Sequence, residues 1–457
     1  MVGANGGSIV IRTWIETFTA WVWGPPMLLL LVGGGLFFCC YSRLLPYRYL
    51  GHSLALLSGR YDNAGDAGEL RHREALAAAL SGTLGLGNIA GVALAISAGG
   101  PGVVFWMWLT ALIGVCTKFF TCTLGVMYRG RDSAGQLQGG PMYVIREALP
   151  RRWHWLAVLF ALAGLLGTVP SFQVNQLAAV VSQQLLPETA GGPWDWGLGL
   201  GLALLVGLVI WGGLGRIARV AEVLVPAMVI SYLAMAALVI AAHAAQLPAV
   251  LAAIFTQAFS PDALYGGALG VAIIGISRGA FSNEAGIGTE VMAHGAARTN
   301  EPVREGLVAS LGPMVDTLLV CSCTAGVILV SGVHAPGDDV QGVSLTMAAF
   351  GEVLGGWGRW LLALQVLVLS ATTVFTFWYY GQKCCAFLFG VGPARYYRYF
   401  YLAAVVLGAV VSVELLFTFL VGVYGLMALP TMLSSLLLAP RVMCEARRYL
   451  GALDAAR

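Results

Sequence analysis

Residues 75–117 contain no Asp, Glu, Lys or Arg, an uncharged run long enough for two membrane crossings of about 20 residues each. Within its first crossing the run stops being hydrophobic. GTLGLGNIAGVA (82–93) holds four glycines, a Thr and an Asn where lipid favours Leu and Ile. A second such place is RGAFSNEAGIG (278–288). Backbone that leaves the helix at membrane depth survives only where protein buries it or water lines it. A pair of glycine-interrupted spans in corresponding positions of two halves marks the substrate site of a secondary transporter. The pattern therefore points to an all-helical integral membrane fold built around two broken helices.

Composition excludes a soluble domain. Charged residues make up 10% of the chain and hydrophobic residues 58%, with a mean hydropathy of +0.81, whereas a soluble domain carries about 25% charged residues. The net charge of +3 carries no nucleic-acid signal, because the positive residues are nearly all Arg and lie between spans. The nine cysteines sit mostly in apolar stretches without a CxxC array and read as small buried hydrophobes rather than metal ligands. No signal peptide is expected in the N-terminal stretch, whose first apolar segment, 19–40, is long enough to remain as a span.

Eleven spans are expected, at 19–41, 75–96, 102–128, 153–184, 196–211, 220–242, 265–287, 303–333, 357–389, 400–417 and 420–438. The longest hydrophilic gap, 43–73, has the size of a loop with one surface helix, so the chain reads as one membrane domain. Arg43, Arg48, Arg60, Arg71 and Arg73 precede the second span, and Arg129, Arg131, Arg146, Arg151 and Arg152 follow the third. Arg216, Arg219, Arg298, Arg304, Lys383, Arg395, Arg398, Arg441, Arg447 and Arg448 fall on the same side. The opposite loops 187–195, 244–262 and 334–352 contain no Lys or Arg. With positive residues inside, this places the N-terminus outside and the C-terminus in the cytoplasm of a plasma (inner) membrane.

A helix interrupted at Gly85–Gly87 exposes backbone N–H groups at the start of its second half. That positive end can hold a carboxylate without a buried Arg. Glycine lets a ligand approach the backbone, and Thr83 and Asn88 offer side-chain hydrogen bonds. A small-residue packing face is the alternative reading of the glycines, although packing needs neither Thr nor Asn. In the second break, Phe281, Ser282, Asn283 and Glu284 end a span that also contains Arg278. Ionisable groups at this depth are costly and usually functional. Arg278 and Glu284 read as a gating pair or a structural one. Pro170 kinks the fourth span, with Gln173 and Asn175 just beyond it. Ser370, Thr372 and Thr373 form a hydroxyl cluster in the ninth span, suited to sodium or to bonding back to their own helix.

From residue 75 onward the chain resembles the alanine or glycine:cation symporter family. The resemblance rests on GTLGLGNIAGVALAISAGGPGVVFWMWLTALIGVCTKF (82–119), QGGPMYVI (138–145), GRIARVAEVLVP (215–226), RGAFSNEAGIGTEVMAHGAARTNEPVREGLV (278–308), FWYYGQK (377–383) and GLMALP (425–430). It implies sodium-coupled uptake of alanine, glycine or similar small neutral amino acids. It also implies a five-plus-five inverted-repeat core whose first and sixth helices are broken, plus one extra N-terminal helix. The corresponding divisions are an N-terminal helix and loop at 1–74, repeats at 75–242 and 262–440, and a cytoplasmic tail at 441–457.

The first break is similar also to that of the neurotransmitter:sodium symporters, where GLGN occurs in the same setting. Carried over by position, the resemblance implies a substrate carboxylate on the amides near Leu86 and Gly87. The sodium site would take the carbonyls of Ser81 and Leu84 and the hydroxyls of Thr372 and Thr373. The amino group would face the carbonyls near Phe281 and the side chain of Ser282, with Gln173 in a pocket that Phe281 closes against large side chains. Substrate contacts are thus expected from Thr83, Gly85, Leu86, Gly87, Asn88, Gln173, Asn175, Phe281, Ser282 and Asn283, in a monomer that needs sodium as coupling ion and no cofactor.

One position departs from the family pattern. Where the family commonly has an acidic residue after the K-F-x stretch, this chain has Thr121, leaving Lys118 without that partner. A proton-coupled permease of the same fold is the alternative, with Glu284 as the only carboxylate near the breaks. An ion channel would need a continuous polar pore. A membrane enzyme would need a set such as HExxH or paired intramembrane Asp; neither occurs, and Asp316 stands alone in its span.

Overall fold

A computed structural model describes residues 4–184, 193–260, 267–333, 342–410 and 414–455. Parts of the expected loops 187–195, 244–262 and 334–352, the starts of the seventh span and of the second repeat, residues 411–413 of the tenth span and the last two residues lie outside them. Strand pairing among the described residues is confined to a short hairpin, Gly130–Arg131 with Leu137–Gln138, and one bridge between Leu70 and Ala297. Everything else regular is helix, as a backbone that must satisfy its own hydrogen bonds in lipid requires.

Seven described helices are long and apolar enough to cross a membrane, and a bent pair, His72–Thr83 with Leu86–Gly99, makes up to eight. Trp194–Ile210 and Ala244–Gln257 are shorter apolar helices. The outer surface is apolar as well: Leu208, Ile230 and Leu238 are each more than 60% exposed, the signature of side chains that face lipid. Trp14, Trp155, Trp194, Trp211 and Trp357 are also exposed, consistent with aromatic residues at the membrane interface.

Several expected spans differ in detail. The first is preceded by a further helix, so that Ala4–Val22 and Pro25–Ser42 run on in sequence across Trp23 and Gly24. The 43–73 gap carries the short helices Leu45–Arg48 and Leu50–Leu57. A helix, Leu247–Gln257, lies in the stretch read as a loop. The fourth span breaks before Ser171, where Pro170 supplies no N–H, into His154–Gly167 and Ser171–Gln184. Val343–Phe389 runs far beyond one membrane thickness because it bends at Gly355 (φ 59°). The last expected span, 420–438, is divided at Met427, its first part lying in Glu414–Leu426 and its second opening the long helix Ala428–Ala455.

The two broken helices lie inside the bundle. Ala75 to Thr83 are all buried, and Val103–Met127 packs along both Gly267–Asn283 and Pro302–Ala309. The Arg-rich loops meet at one end. Arg129 donates to the carbonyls of Gly295 (2.8 Å), Ala67 (3.0 Å) and Thr299 (3.1 Å). Asn300 Nδ2 bonds Asp66 at 2.9 Å, and Arg448 pairs with Glu301. At the other end Trp106 Nε1 donates to Ala258 O at 3.0 Å. Loops that share the charge pattern thus share a face.

Candidate functional site

The first helix stops because Leu84 (ψ 84°) and Gly85 (φ −137°, ψ −157°) leave helical geometry. One tight turn, Leu86–Asn88, follows before Ala90–Gly99 begins, and the two halves are bent by 60°. The Asn88 side chain folds back so that its Oδ1 accepts the Gly85 N–H at 3.1 Å. Leu86 and Gly87 open that turn, the positions whose N–H groups find no acceptor within a helix. A side chain at Gly85 would require Thr373 or the backbone to shift, because a Cβ there would stand 2.8 Å from Thr373 Oγ1. The break and the ninth expected span are therefore in direct contact.

The second helix, Gly267–Asn283, is followed by an unwound segment with Glu284 at φ 56°, Gly286 at 89° and Gly288 at 97°, before Thr289–His294 resumes. Glycine accepts this region at no steric cost, whereas a glutamate there is strained. Local bonds hold it: Glu284 N donates to Ala280 O and Ile287 N to Glu284 O, both at 3.0 Å. Thr289 Oγ1 donates to the Glu284 carboxylate.

Between the breaks lies a cavity of about 40 Å³. Thr83, Gly85, Leu86 and Gly87 line it from the first break, and Phe281 and Glu284 from the second. Gln173, Thr373, Phe377 and Tyr424 are among the other residues that line it. Phe281 and Tyr424 pack edge to face at 5.7 Å, Phe377 stacks on Tyr424 at 5.9 Å, and Trp23 meets Phe281 at 6.1 Å. The arrangement offers backbone N–H groups at one side, a carboxylate at the other and aromatic rings around a narrow space.

The remaining residues expected at the substrate stand elsewhere. Asn88 and Ser282 turn away from the lining toward Asp316, in the π-helical turn Met314–Cys321. Asn88 Nδ2 donates to Asp316 Oδ1 at 2.6 Å, and Ser282 Oγ and Thr317 Oγ1 donate to Asp316 Oδ2 at 2.9 and 2.7 Å. Asn283 lies on the far side, where its Oδ1 accepts Ala285 N at 3.0 Å beside Gly114. Asn175 is half-buried, outside the residues that line the cavity. Arg278 is exposed and takes no part with Glu284, whose carboxylate is met by Thr289. Asp316, the one Asp of its span, is the group on which both breaks converge. A lone acid in an apolar span was the available signal; Thr317 is its neighbour, but Ser282 and Asn88 lie 34 and 228 residues away in sequence.

The four residues expected at sodium gather around the same contact. Ser81, Leu84, Thr372 and Thr373 are all buried. Ser81 Oγ lies 2.5 Å from Thr376 Oγ1, a hydroxyl not singled out in the sequence, and donates to Ala78 O at 2.8 Å. Thr372 and Thr373 each donate to Leu369 O, at 2.9 and 3.0 Å. A hydroxyl that donates to its own helix keeps lone pairs for a cation, so back-bonding and cation binding are compatible here. Ser370 Oγ has no hydrogen-bond partner among the described residues.

The sodium:alanine symporter family matches residues 8–456. A sodium/alanine symporter, AgcS, of Methanococcus maripaludis is 34% identical over 439 residues, covering 95% of this chain and 96% of that protein. A probable sodium/glutamine symporter, GlnT, of Bacillus subtilis is 36% identical over 379 residues, covering 82% and 78%. Among solved structures, MhsT in complex with L-phenylalanine aligns with a TM-score of 0.56 at 12% identity, covering 83% of this chain and 98% of MhsT. At that identity the likeness speaks for the fold alone.

Proposed function

Since the chain belongs to the sodium:alanine symporter family, and is a transporter rather than an enzyme, we propose that it imports alanine or glycine with sodium by alternating access. The observation that carries the choice of substrate is the small cavity between the breaks. A space of about 40 Å³, against about 10–15 Å³ for one water-sized group, suits a substrate of few heavy atoms. Phe281, Phe377 and Tyr424 stand where a longer side chain would go.

In this reading the amides of Leu86 and Gly87 receive the substrate carboxylate at the positive end of the second half-helix. The freed carbonyls near Phe281 and the carboxylate of Glu284 face the amino group. Asn88 and Ser282 act from behind, through Asp316, to fix both breaks. Sodium binds between the first broken helix and the long helix Val343–Phe389, on the carbonyls of Ser81 and Leu84 and the hydroxyls of Thr372 and Thr373. A cation there draws the two helices together and raises affinity for the amino acid, a reciprocal coupling of about 1–3 kcal/mol. We further infer eleven spans with a five-plus-five inverted repeat, the Arg-rich face in the cytoplasm of the inner membrane, the N-terminus outside, and a monomeric unit.

The test is uptake of radiolabelled alanine and glycine into proteoliposomes under an inward sodium gradient, with potassium and proton gradients as comparisons. Accumulation that needs sodium and is lost in Thr373→Ala is the expected result. The placement of Glu284 on the cavity wall gives a second reading a foothold. Uptake driven by protons alone would move coupling to that carboxylate and overturn the sodium site.

A further inference from the structure

We propose that the cavity at the Arg-rich end, walled by Lys383 and Glu69, is a second amino-acid site, in which the carboxylate of a departing zwitterion replaces the Met292 carbonyl as acceptor for Lys383. The inference rests on the function proposed above. The motif FWYYGQK (377–383) leads from one cavity to the other along a single helix. Phe377 lines the small cavity between the breaks, and Tyr379, Gln382 and Lys383 line a cavity of about 310 Å³. From Phe377 to Lys383 the helix rises only about 9 Å. Tyr380, fully buried, stands between them in the chain, and its hydroxyl has no hydrogen-bond partner among the described residues. A Cβ at Gly82, on the wall of the small cavity, would stand 3.3 Å from that hydroxyl.

Lys383 is 5% exposed. Its ammonium is held by neutral oxygens, donating to Met292 O at 3.0 Å and to Tyr379 Oη at 2.7 Å, and it forms no ion pair among the described residues. Tyr379 Oη donates to the same Met292 carbonyl at 3.1 Å. These bonds tie Val343–Phe389 to Thr289–His294, the half-helix that follows the second break. A buried ammonium without an anion is costly at membrane depth, and a carboxylate is a stronger acceptor for it than a peptide carbonyl. A carboxylate that enters the cavity therefore draws Lys383 from Met292 and frees the half-helix to move.

The wall carries both signs of charge, which favours a zwitterion over a plain anion. Glu69 lines the same cavity, and its carboxylate has no hydrogen bond or ion pair among the described residues, so it is open to an ammonium. Asp132 is not, because its oxygens accept Ala134 N, Gln136 N and Gln138 Nε2 at 2.9, 3.0 and 3.0 Å. Lys383 is the buried cation of this wall; Arg395 is exposed, and Arg398 is engaged with Arg395 O and the Trp211 ring. A further cavity of about 310 Å³ shares Glu69, Gln136, Gln138 and Tyr379 with it. Such a space sets no limit on side-chain size, which leaves selection to the small cavity.

The experiment is protection from labelling. Gln136 lines both large cavities, and Gln136→Cys, in the purified full chain without its native cysteines, is reacted with a maleimide in detergent. Millimolar alanine or glycine is expected to slow labelling about threefold or more, as occupancy at about twice the half-saturating concentration does. Propionate and ethylamine, which carry one charge each, should protect little. Protection should persist with Thr373→Ala, which removes a ligand of the proposed sodium site, and vanish with Lys383→Met and with Glu69→Gln. Glu69 is exposed, so its variant carries the test if Lys383→Met does not fold. No protection by either amino acid overturns the proposal, as does protection that Glu69→Gln leaves intact. Loss of protection with Thr373→Ala would assign the effect to the small cavity and overturn it likewise. Stronger protection by phosphoethanolamine than by alanine would make the cavity a lipid-headgroup site instead. In proteoliposomes, Lys383→Met should slow uptake at saturating alanine about tenfold and change the rate at low alanine by less than about threefold, because release rather than capture suffers. Native rates, or equal slowing at both concentrations, overturn the exchange at Lys383. The labelling arm needs no transport, so absence of alanine and glycine uptake in the native protein would sink the function proposed above and leave the site to be judged by protection.

Discussion

At Gly85 a single methyl would meet Thr373 Oγ1 at 2.8 Å and force the first break and the helix of Thr373 to shift against each other. Gly85→Ala is therefore expected to abolish alanine uptake and to cost about 1–3 kcal/mol of stability, the usual penalty of overpacking. Gly87→Ala is the control, since its Cβ would lie 3.9 Å from Phe281 Cδ1 and Ser282 Cα, an ordinary contact. It should melt like the native protein, with a weaker apparent affinity because the methyl enters the cavity. Asp316→Asn gives the third residue-level expectation. Asp316 accepts from Asn88, Ser282 and Thr317, and an amide would turn one accepting oxygen into a donor aimed at donors. A loss of about 1–3 kcal/mol and of most uptake should follow, read by thermal melting and by initial rates. The glycines and Asn88 were legible because polar and small residues are costly in a lipid-facing run. Asp316 was not, because its role depends on which way its helix is turned.

The half-helices are held at their Arg-rich end by a charge network rather than by hydrophobic contact. Glu305, fully buried, accepts from His72 at the start of the first broken helix and from His294 at the end of the second. One carboxylate thus couples both broken elements. Glu305→Ala would leave two buried imidazoles without their partner, and breaking such a buried group costs about 3–5 kcal/mol. The melting temperature of the purified variant should drop by many degrees while its helix content at low temperature stays native. Retention of the native melting temperature would show that the two ends are held independently. None of this was drawn from the sequence, where His72, His294 and Glu305 lie in otherwise unremarkable stretches. Their meeting needs three separate helices to end at the same level.

For the molecule as a whole, the gathering of Arg129, Asn300, Arg448 and their partners on one face makes sidedness testable. Cys444 is an exposed thiol on the helix that carries Arg448. In a variant lacking the other cysteines, a membrane-impermeant maleimide should label it in inverted vesicles and leave it unlabelled in intact cells. Coupling can be tested at the same scale. If net positive charge enters with the amino acid, an inside-negative potential contributes about 2.3 kcal/mol per charge per 100 mV. Valinomycin-clamped potentials should then raise sodium-driven alanine accumulation steeply, and indifference to potential would argue for electroneutral exchange.

The sequence by itself determined that this chain is a helical membrane transporter, where its two helices break and which family it belongs to. Glycine, asparagine and serine interrupt otherwise apolar spans at two corresponding places, and those spans also carry the family's motifs. Only the tertiary structure decided what each polar group faces. Asn88 and Ser282 flank the cavity in sequence yet bond to Asp316, Thr376 joins Ser81 across 295 positions, and Glu290 comes up to Thr121 across 169. A helix's rotation about its own axis is set by the ridges and small residues of its neighbours, through contacts between distant segments that no local pattern encodes.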